Sequence, residues 1–290
     1  MERLRKYILP GVVLLLLLSN VWVWREALSP RAKNNTLKVF YLNIGQGDAT
    51  LIEAPNGNQV LIDGGPTDNK VLSELGEVLS PLDHDIDVVI ATHPDADHVG
   101  GLPEVLSRYK VGMFLESGNR TKDTQAFKRL DIEAAKLGSQ RIIAKRGMRL
   151  LLDEEDTVYL DVLYPDKDVS QVESNEASIV MRLTYGATHF IFSGDAPRDV
   201  EQHLTQLDGN NLQSDVLKAG HHGSHTSSDL AYVTKVHPTF TVISVGKDNR
   251  YGHPHKETLA TFNALNIETL RTDTMGRIEI DSDGEKVLLK

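Results

Sequence analysis

The sequence predicts an α/β fold built on short, mostly buried strands. Three observations carry that prediction. Apolar runs alternate with segments of helical spacing; Gly, Asn and Asp turns separate them; and nearly every polar cluster falls where a strand stops, which is where α/β proteins place their sites.

Taken in order, a polar linker at 29–36 leads into strands at Leu37 to Asn43, Ala49 to Glu53 and Gln59 to Asp63, the last two joined by the turn Pro55-Asn56-Gly57-Asn58. Val71 to Leu79 has helical spacing. Ile86 to Thr92 is a continuous apolar run of the kind shown by a strand covered on both faces. Helices are expected at Leu102 to Tyr109 and Asp123 to Leu137. In the second half, Ser178 to Tyr185 and Thr188 to Ser193 form a hairpin around Gly186-Ala187, and a helix at Arg198 to Leu207 follows. Strands at Asp215 to Ala219 and Thr241 to Val245, a helix at Lys256 to Leu265, and strands at Ile267 to Arg271 and Arg277 to Ile280 complete the chain. No low-complexity segment or composition break interrupts 37–290, which reads as one domain.

Composition narrows the function. The 290 residues, 40% of them apolar, suffice for a full core. A formal charge of -10, from 41 acidic and 31 basic residues, argues against a protein that wraps duplex nucleic acid, although a local basic groove is compatible with it. With no cysteine, any metal must be held by His, Asp or Glu, and there are 11 histidines. Residues 1–28 differ from the rest: Tyr7 to Trp24 carries no charge, follows Arg3, Arg5 and Lys6, and ends near Trp22 and Trp24. That pattern predicts a hydrophobic signal-type helix. Ala27-Leu28-Ser29 resembles a cleavage site, but Pro30 would follow the cut, which favours retention as a membrane anchor. Anchored or cleaved, the body is expected outside the cytoplasm, on a single-pass anchor or secreted.

The strongest chemical signal is His93-Pro94-Asp95-Ala96-Asp97-His98 at the end of the buried run, followed by Gly100-Gly101, whose missing side chains let a backbone come close to a ligand. Four ligating side chains in six residues favour metal binding over a solvated acidic turn. The stretch resembles the His-x-His-x-Asp-His signature of metallo-β-lactamase-fold hydrolases, with Asp95 at the second histidine. Further motifs follow the same order as in the extracellular C-terminal hydrolase domain of the bacterial competence proteins called ComEC: Asn43-Ile44-Gly45-Gln46-Gly47-Asp48-Ala49, Leu61-Ile62-Asp63-Gly64-Gly65, Phe192-Ser193-Gly194-Asp195, Leu217-Lys218-Ala219-Gly220-His221-His222-Gly223-Ser224, Tyr251-Gly252-His253-Pro254-His255 and Arg271-Thr272-Asp273. The resemblance runs from about Leu37 to Leu289.

It implies a four-layer αββα sandwich holding two divalent ions, Zn2+ or Mn2+. His93 and Asp95 would hold one, Asp97 and His98 the other, with Asp195 as bridging carboxylate and His221 as the distal histidine; His222 competes for that place. Lactamases carry a third histidine before the bridging aspartate, whereas Asn175-Glu176-Ala177-Ser178 has none. Carboxylate-rich sites shift preference from zinc toward manganese or magnesium. Two cations acidify a shared water and stabilise charge in an in-line displacement, which favours phosphoester hydrolysis. Asp97 is expected to orient the hydroxide, and Lys218, His222 or His253 to neutralise phosphoryl oxygens or protonate the leaving oxygen. For Lys218 a solvated strand end is the alternative. Asp63 is expected as a partner of a ligating histidine or as a turn former, and Gly45 to Asp48 as a turn whose amides face the cleft. The resemblance implies a phosphodiesterase acting on nucleic acid, single-stranded DNA in the first place. A hydrolase of small or surface phosphoesters, such as phosphorylcholine groups, comes second, β-lactam cleavage is more distant, and a non-catalytic binding module is the alternative from another class.

Overall fold

In the computed structural model the described residues are 35–155 and 157–290, together with 11, 12, 15, 18 and 19, which are helical. Apart from those five positions, the expected anchor helix lies outside the described residues. Among the described residues no helix is long and apolar enough to cross a membrane.

The first sheet has eight strands in the order β15-β14-β1-β2-β3-β4-β5-β6. They are β1 (Leu37–Tyr41), β2 (Thr50–Glu53), β3 (Gln59–Ile62), β4 (Asp85–Ala91), β5 (Lys110–Glu116), β6 (Arg141–Ile143), β14 (Ile278–Ser282) and β15 (Val287–Leu289). The second has seven, in the order β13-β12-β11-β10-β9-β8-β7: β7 (Arg149–Asp153), β8 (Val158–Tyr164), β9 (Val180–Tyr185), β10 (Thr188–Phe192), β11 (Val216–Lys218), β12 (Phe240–Ile243) and β13 (Glu268–Arg271). The last two strands of the chain return to the first sheet, where β14 pairs antiparallel with β1, Leu37 opposite Ser282.

Each sheet is apolar on both faces, and strand alternation divides the side chains among three cores. Val39 and Tyr41 of β1 meet Phe190 and Phe192 of β10 between the sheets. Phe40 turns the other way, into a core with Val71 and Leu75 of α1 (Lys70–Val78), Leu102 and Val105 of α3 (Leu102–Arg108), and Phe127 and Leu130 of α4 (Gln125–Ala135). Ile191 turns outward beneath Val200 and Leu204 of α5 (Arg198–Asp208), Tyr232 and Val233 of α6 (Leu230–Val236) and Phe262 of α7 (Lys256–Ala264). Three cores between four layers make the αββα sandwich. A one-turn helix, α2 (Ala96–Val99), and another, α8 (Thr272–Met275), complete the elements used below.

The expected strands and helices appear within two or three residues of their predicted ends. The helix foreseen from Asp123 begins at Gln125 because the Thr124 hydroxyl accepts the Phe127 amide at 3.2 Å and closes its first turn. The predicted hairpin is present, with Thr188 opposite Tyr185. Strands β5 to β8 and β15, helix α6 and the one-turn helices α2 and α8 were not foreseen.

Candidate metal centre

The site forms where strands of both sheets end. Strand β4 delivers Thr92 and His93, and the chain then turns into α2, which carries Asp97 and His98. Glycines allow three loops to meet there. A Cβ on Gly47, at φ +134°, would lie 2.1 Å from the Asp97 carbonyl oxygen, and the Asp48 amide donates to that same oxygen at 3.1 Å. The Gly64 amide donates to the His98 carbonyl at 2.7 Å. Gly100 and Gly101 serve this packing as well: a Cβ on either would strike backbone of the 64–67 loop, at 2.6 and 2.3 Å. Their expected service to a ligand is replaced by service to the neighbouring loop, and the Asp48 amide faces the Asp97 backbone rather than the cleft.

Hydrogen-bond bookkeeping fixes how the histidines face. Asp63 accepts from the Thr92 amide at 2.9 Å and from the Thr92 hydroxyl at 2.7 Å. Having given its one proton to a carboxylate, that hydroxyl accepts from His93 Nδ1, 3.1 Å away, which leaves the His93 Nε2 lone pair free. His98 Nδ1 donates to Asp63 at 2.8 Å, and His222 Nδ1 donates to the Ser244 carbonyl at 3.0 Å. Asp63 is therefore a partner of His98, in a left-handed conformation at φ 59°.

All these rings turn Nε2 toward Asp195, which follows β10. Its carboxylate lies 3.2 Å from His98 Nε2, 3.9 Å from His93, 3.8 Å from His221 and 3.7 Å from His222. Asp97 Oδ2 is 3.4 Å from His222 Nε2. His221 and His222 reach the same point because both have left-handed backbone, at φ 49° and 53°, a strained geometry for non-glycine residues that concentrates at functional sites. One ligand atom each from Asp48, His98, Asp195 and His222 falls within 4.8 Å of all the others.

Whether these residues suit a metal is decided by unmet valences. The Nε2 atoms of His93, His98 and His222, Asp195 Oδ1 and Asp48 Oδ1 are buried without a hydrogen-bond partner. Imidazole nitrogens and carboxylate oxygens gathered in one buried cluster, each costly to bury unsatisfied, fit a divalent cation that takes the place of any ring proton.

Charge coupling is correspondingly strong. Burial pushes the Asp48 carboxyl up, but Lys218, His222 and His98 outweigh it and hold it at about 2. Burial pushes Asp195 up and the same two histidines bring it well below the carboxylate range. Conversely, burial lowers His98 and His222, yet Asp195 with Asp63 raises the first well above its ordinary value, and Asp195 with Asp48 raises the second to about 9. His253 moves the other way: burial, then His222 and His221, push it down to about 4.

The model of the metallo-beta-lactamase superfamily matches residues 42–247, more than half of the chain. The chain belongs to the metallo-β-lactamase superfamily. Among curated relatives it is 31% identical over 261 residues to ComE operon protein 3 of Bacillus subtilis, covering 83% of this chain and 32% of that protein. It is 26% identical to competence protein ComA of Neisseria gonorrhoeae, over 84% of this chain and 32% of the relative. Recombination protein 2 of Haemophilus influenzae is 24% identical, over 85% and 29%. These relatives are ComEC-type competence proteins, and the chain spans about a third of their length. Of solved structures, Igni18, a metallo hydrolase from Ignicoccus hospitalis, superposes with a TM-score of 0.52 at 15% identity, over 84% of this chain and 98% of that one, a likeness of fold.

Within this superfamily site the remaining predicted residues stand as follows. Asp95 directs Oδ1 to Lys122 Nζ, at 3.1 Å, and to the Ser174 hydroxyl. Lys218 is 3% exposed and ion-paired with Asp48, so it is neither a solvated strand end nor an open ammonium in the cleft. His253 places its ring 5.5 Å from that of His221 and 6.2 Å from that of His222, with Tyr251 stacked on it at 5.7 Å. In the segment where lactamases keep a third histidine, Ser178 accepts the Asp195 amide at 3.1 Å. Asp48 is the residue that sequence reasoning missed as a possible ligand. Its place in the polar loop between β1 and β2, at a strand boundary like the other polar clusters, was the available signal.

Proposed function

We propose that this superfamily member is a membrane-anchored, extracytoplasmic, metal-dependent phosphodiesterase that cleaves single-stranded DNA. The observation that carries the reading is the donor set around Asp195, in which the Asp97 carboxylate stands beside His222 Nε2 and Asp48 closes the cluster from the Nδ1 side of the same ring. Such a set suits hard divalent ions and phosphoryl oxygens better than it suits a lactam. The likeness to competence proteins supports DNA as the substrate. The uncharged 7–24 segment supports the anchor.

His98, His222, Asp195 and Asp48 would hold divalent ions, with His93, His221, Asp97 and Asp95 completing two positions. Ions there would supply Lewis-acid charge and acidify water. Asp97, whose side chain is 33% exposed against 5% for Asp195, faces the cleft and orients the attacking water. Lys218 keeps Asp48 ionised. His253, neutral at working pH, offers a hydrogen bond to the departing oxygen.

Incubated with manganese and single-stranded DNA, the protein is expected to release acid-soluble nucleotides, and Asp97→Ala to abolish the release. Intact DNA under manganese, zinc and magnesium alike would sink the reading. The net charge of -10 favours, as a second reading, a smaller phosphoester; hydrolysis of bis-nitrophenyl phosphate and headgroup esters with DNA left intact would select it.

A further inference from the structure

A cavity of about 900 Å³ opens between the ends of β5 and β6 on the first sheet and β8 on the second, and β5 pairs with β4, whose end carries His93. Its walls are more apolar than polar and include Ile143, Ala144, Pro165 and Val169, and its rim carries Lys145, Arg146 and Lys167. Two loops tie it to the metal centre. Asn119 Nδ2 donates to the carbonyls of Val169 and Val172 at 2.7 and 3.1 Å, and the Arg120 amide donates to the Ser170 carbonyl at 3.0 Å, which zips 117–122 to 169–174. One end of the zipped pair walls the cavity. The other end is Lys122 and Ser174, and both hold Asp95 of the metal hexad.

The charges on the rim are not equally committed. Arg146 is consumed by Asp208, to which its Nη1 donates at 2.9 Å. Asp166 turns away to His203 at 2.7 Å, and Asp168 accepts the Ser170 amide at 2.9 Å. Lys145 and Lys167 are exposed, and among the described residues their ammonium groups make no hydrogen bond or close ion pair, although Lys145 is near enough to Asp168 to help hold that carboxyl low. Two ammonium groups without a hydrogen-bonded partner, one of them loosely opposed by Asp168, stand over an apolar floor on a chain whose net charge is -10.

We infer that this cavity is a nucleotide subsite: it seats one nucleotide of a single strand whose neighbouring phosphodiester lies at the metal centre. The base packs on Ile143, Pro165 and Val169, and Lys145 and Lys167 hold the flanking phosphates. The inference rests on the phosphodiesterase reading for its ligand. The size suits a base with its sugar, since ligand pockets of roughly 300–1,000 Å³ enclose most of a molecule of that size. Apolar contact and loose electrostatic tracking, with no hydrogen-bond readout, would make the subsite tolerant of base identity.

The test measures binding apart from cleavage. Full-length protein in chelator, unable to cut, is titrated with a fluorescein-labelled short oligothymidylate across a range of salt. Lys145→Ala with Lys167→Ala is expected to weaken binding roughly tenfold at low salt and to flatten the plot of log affinity against log salt by about 1.4, the counterions of two single-strand phosphates. Ile143→Glu, on the exposed floor, is expected to weaken it by a comparable factor. With manganese, the double lysine variant should raise KM for the oligonucleotide without lowering kcat and leave bis-nitrophenyl phosphate kinetics alone. Equal affinity and equal salt slope in wild type and double variant overturn the inference, and so does a wild type that binds no oligonucleotide. Weakened binding with no cleavage under any metal keeps the subsite and removes the nuclease reading; undiminished cleavage and binding in the variants do the reverse.

Discussion

At the scale of single residues, Asp63 shows how much of the site lies behind the ligands. It holds Thr92 by two hydrogen bonds, holds His98 by a third, and through the Thr92 hydroxyl sets the tautomer of His93. Orienting partners of this kind are worth about 10–100-fold in metal affinity. Asp63→Asn keeps the shape but replaces one carboxylate oxygen with an amide nitrogen that cannot accept from His98 or Thr92. Competition with a chromophoric chelator should show a loss of that size, with circular dichroism unchanged; wild-type affinity would show that Asp63 is only a turn former. Both readings of Asp63 were legible in the sequence, and the hydrogen bonds decide between them. Asp48 was less legible. Its Gly45-Gln46-Gly47 neighbourhood reads as a turn, and what makes it a site residue is contact with Lys218, 170 positions away, which no local pattern encodes.

At the scale of elements, legibility followed boundaries and length. Most strands and helices flanked by Gly, Asn or Pro turns were found; those between 138 and 177 were not, nor were β5, α6 and β15 despite Gly118, Pro238 and Gly284 beside them. In β8, Val-Tyr-Leu-Asp-Val-Leu-Tyr, alternate residues are buried, but the intervening Tyr159 and Leu163 are apolar too, so the period of two is masked. Tyr159 is covered by the Arg149 guanidinium, 3.8 Å from its ring centre, a contact made across the sheet from β7. Helix α6 spans seven residues, and although α3 of the same length was found, α6 starts from the exposed Leu230 and ends at His237-Pro238 without a clear apolar period. Glycines separate the two kinds of constraint. Gly76 lies inside α1 with nothing within 4 Å of an added Cβ, so Gly76→Ala should raise stability by about 0.5–1 kcal/mol. Gly47→Ala must clear the Asp97 carbonyl in a backbone region that favours glycine, and should cost about 1–3 kcal/mol and displace the hexad. Urea unfolding of the two variants checks both signs; equal effects would mean that the 45–48 loop is not packed against α2 as described.

At the scale of the molecule, the sandwich followed from the order of motifs, while the return of β14 and β15 to β1 did not, because strand pairing across more than 200 residues leaves no local trace. That topology places the site across the two halves. Asp48, from the loop between β1 and β2, and His98, from α2 after β4, belong to the first sheet's half, Asp195 and His222 to the second's, and these four are all buried. A divalent ion held by all four would join the sheets, and any ligand bound only by the folded state stabilises it by mass action, about 2.7 kcal/mol at one hundred times Kd. Its size should depend on pH with a definite sign. Without metal, neighbouring carboxylates raise the pKa of His98 well above its ordinary value and that of His222 to about 9, so at neutral pH both imidazoles carry protons that a cation must displace. Metal affinity should therefore rise as pH increases from about 6.5 toward 9, and binding should release protons. The proton on each raised histidine also favours the metal-free fold, an increment present at low pH and lost as pH climbs through the folded value. The two slopes oppose each other, so the gap between thermal unfolding curves with excess manganese and with chelator should widen from pH 6.5 to pH 8.5. In Asp195→Asn the gap should nearly close at both values. A gap that narrows with rising pH, or survives in Asp195→Asn, would mean that manganese binds elsewhere and that Asp195 is not the residue through which the sheets are joined.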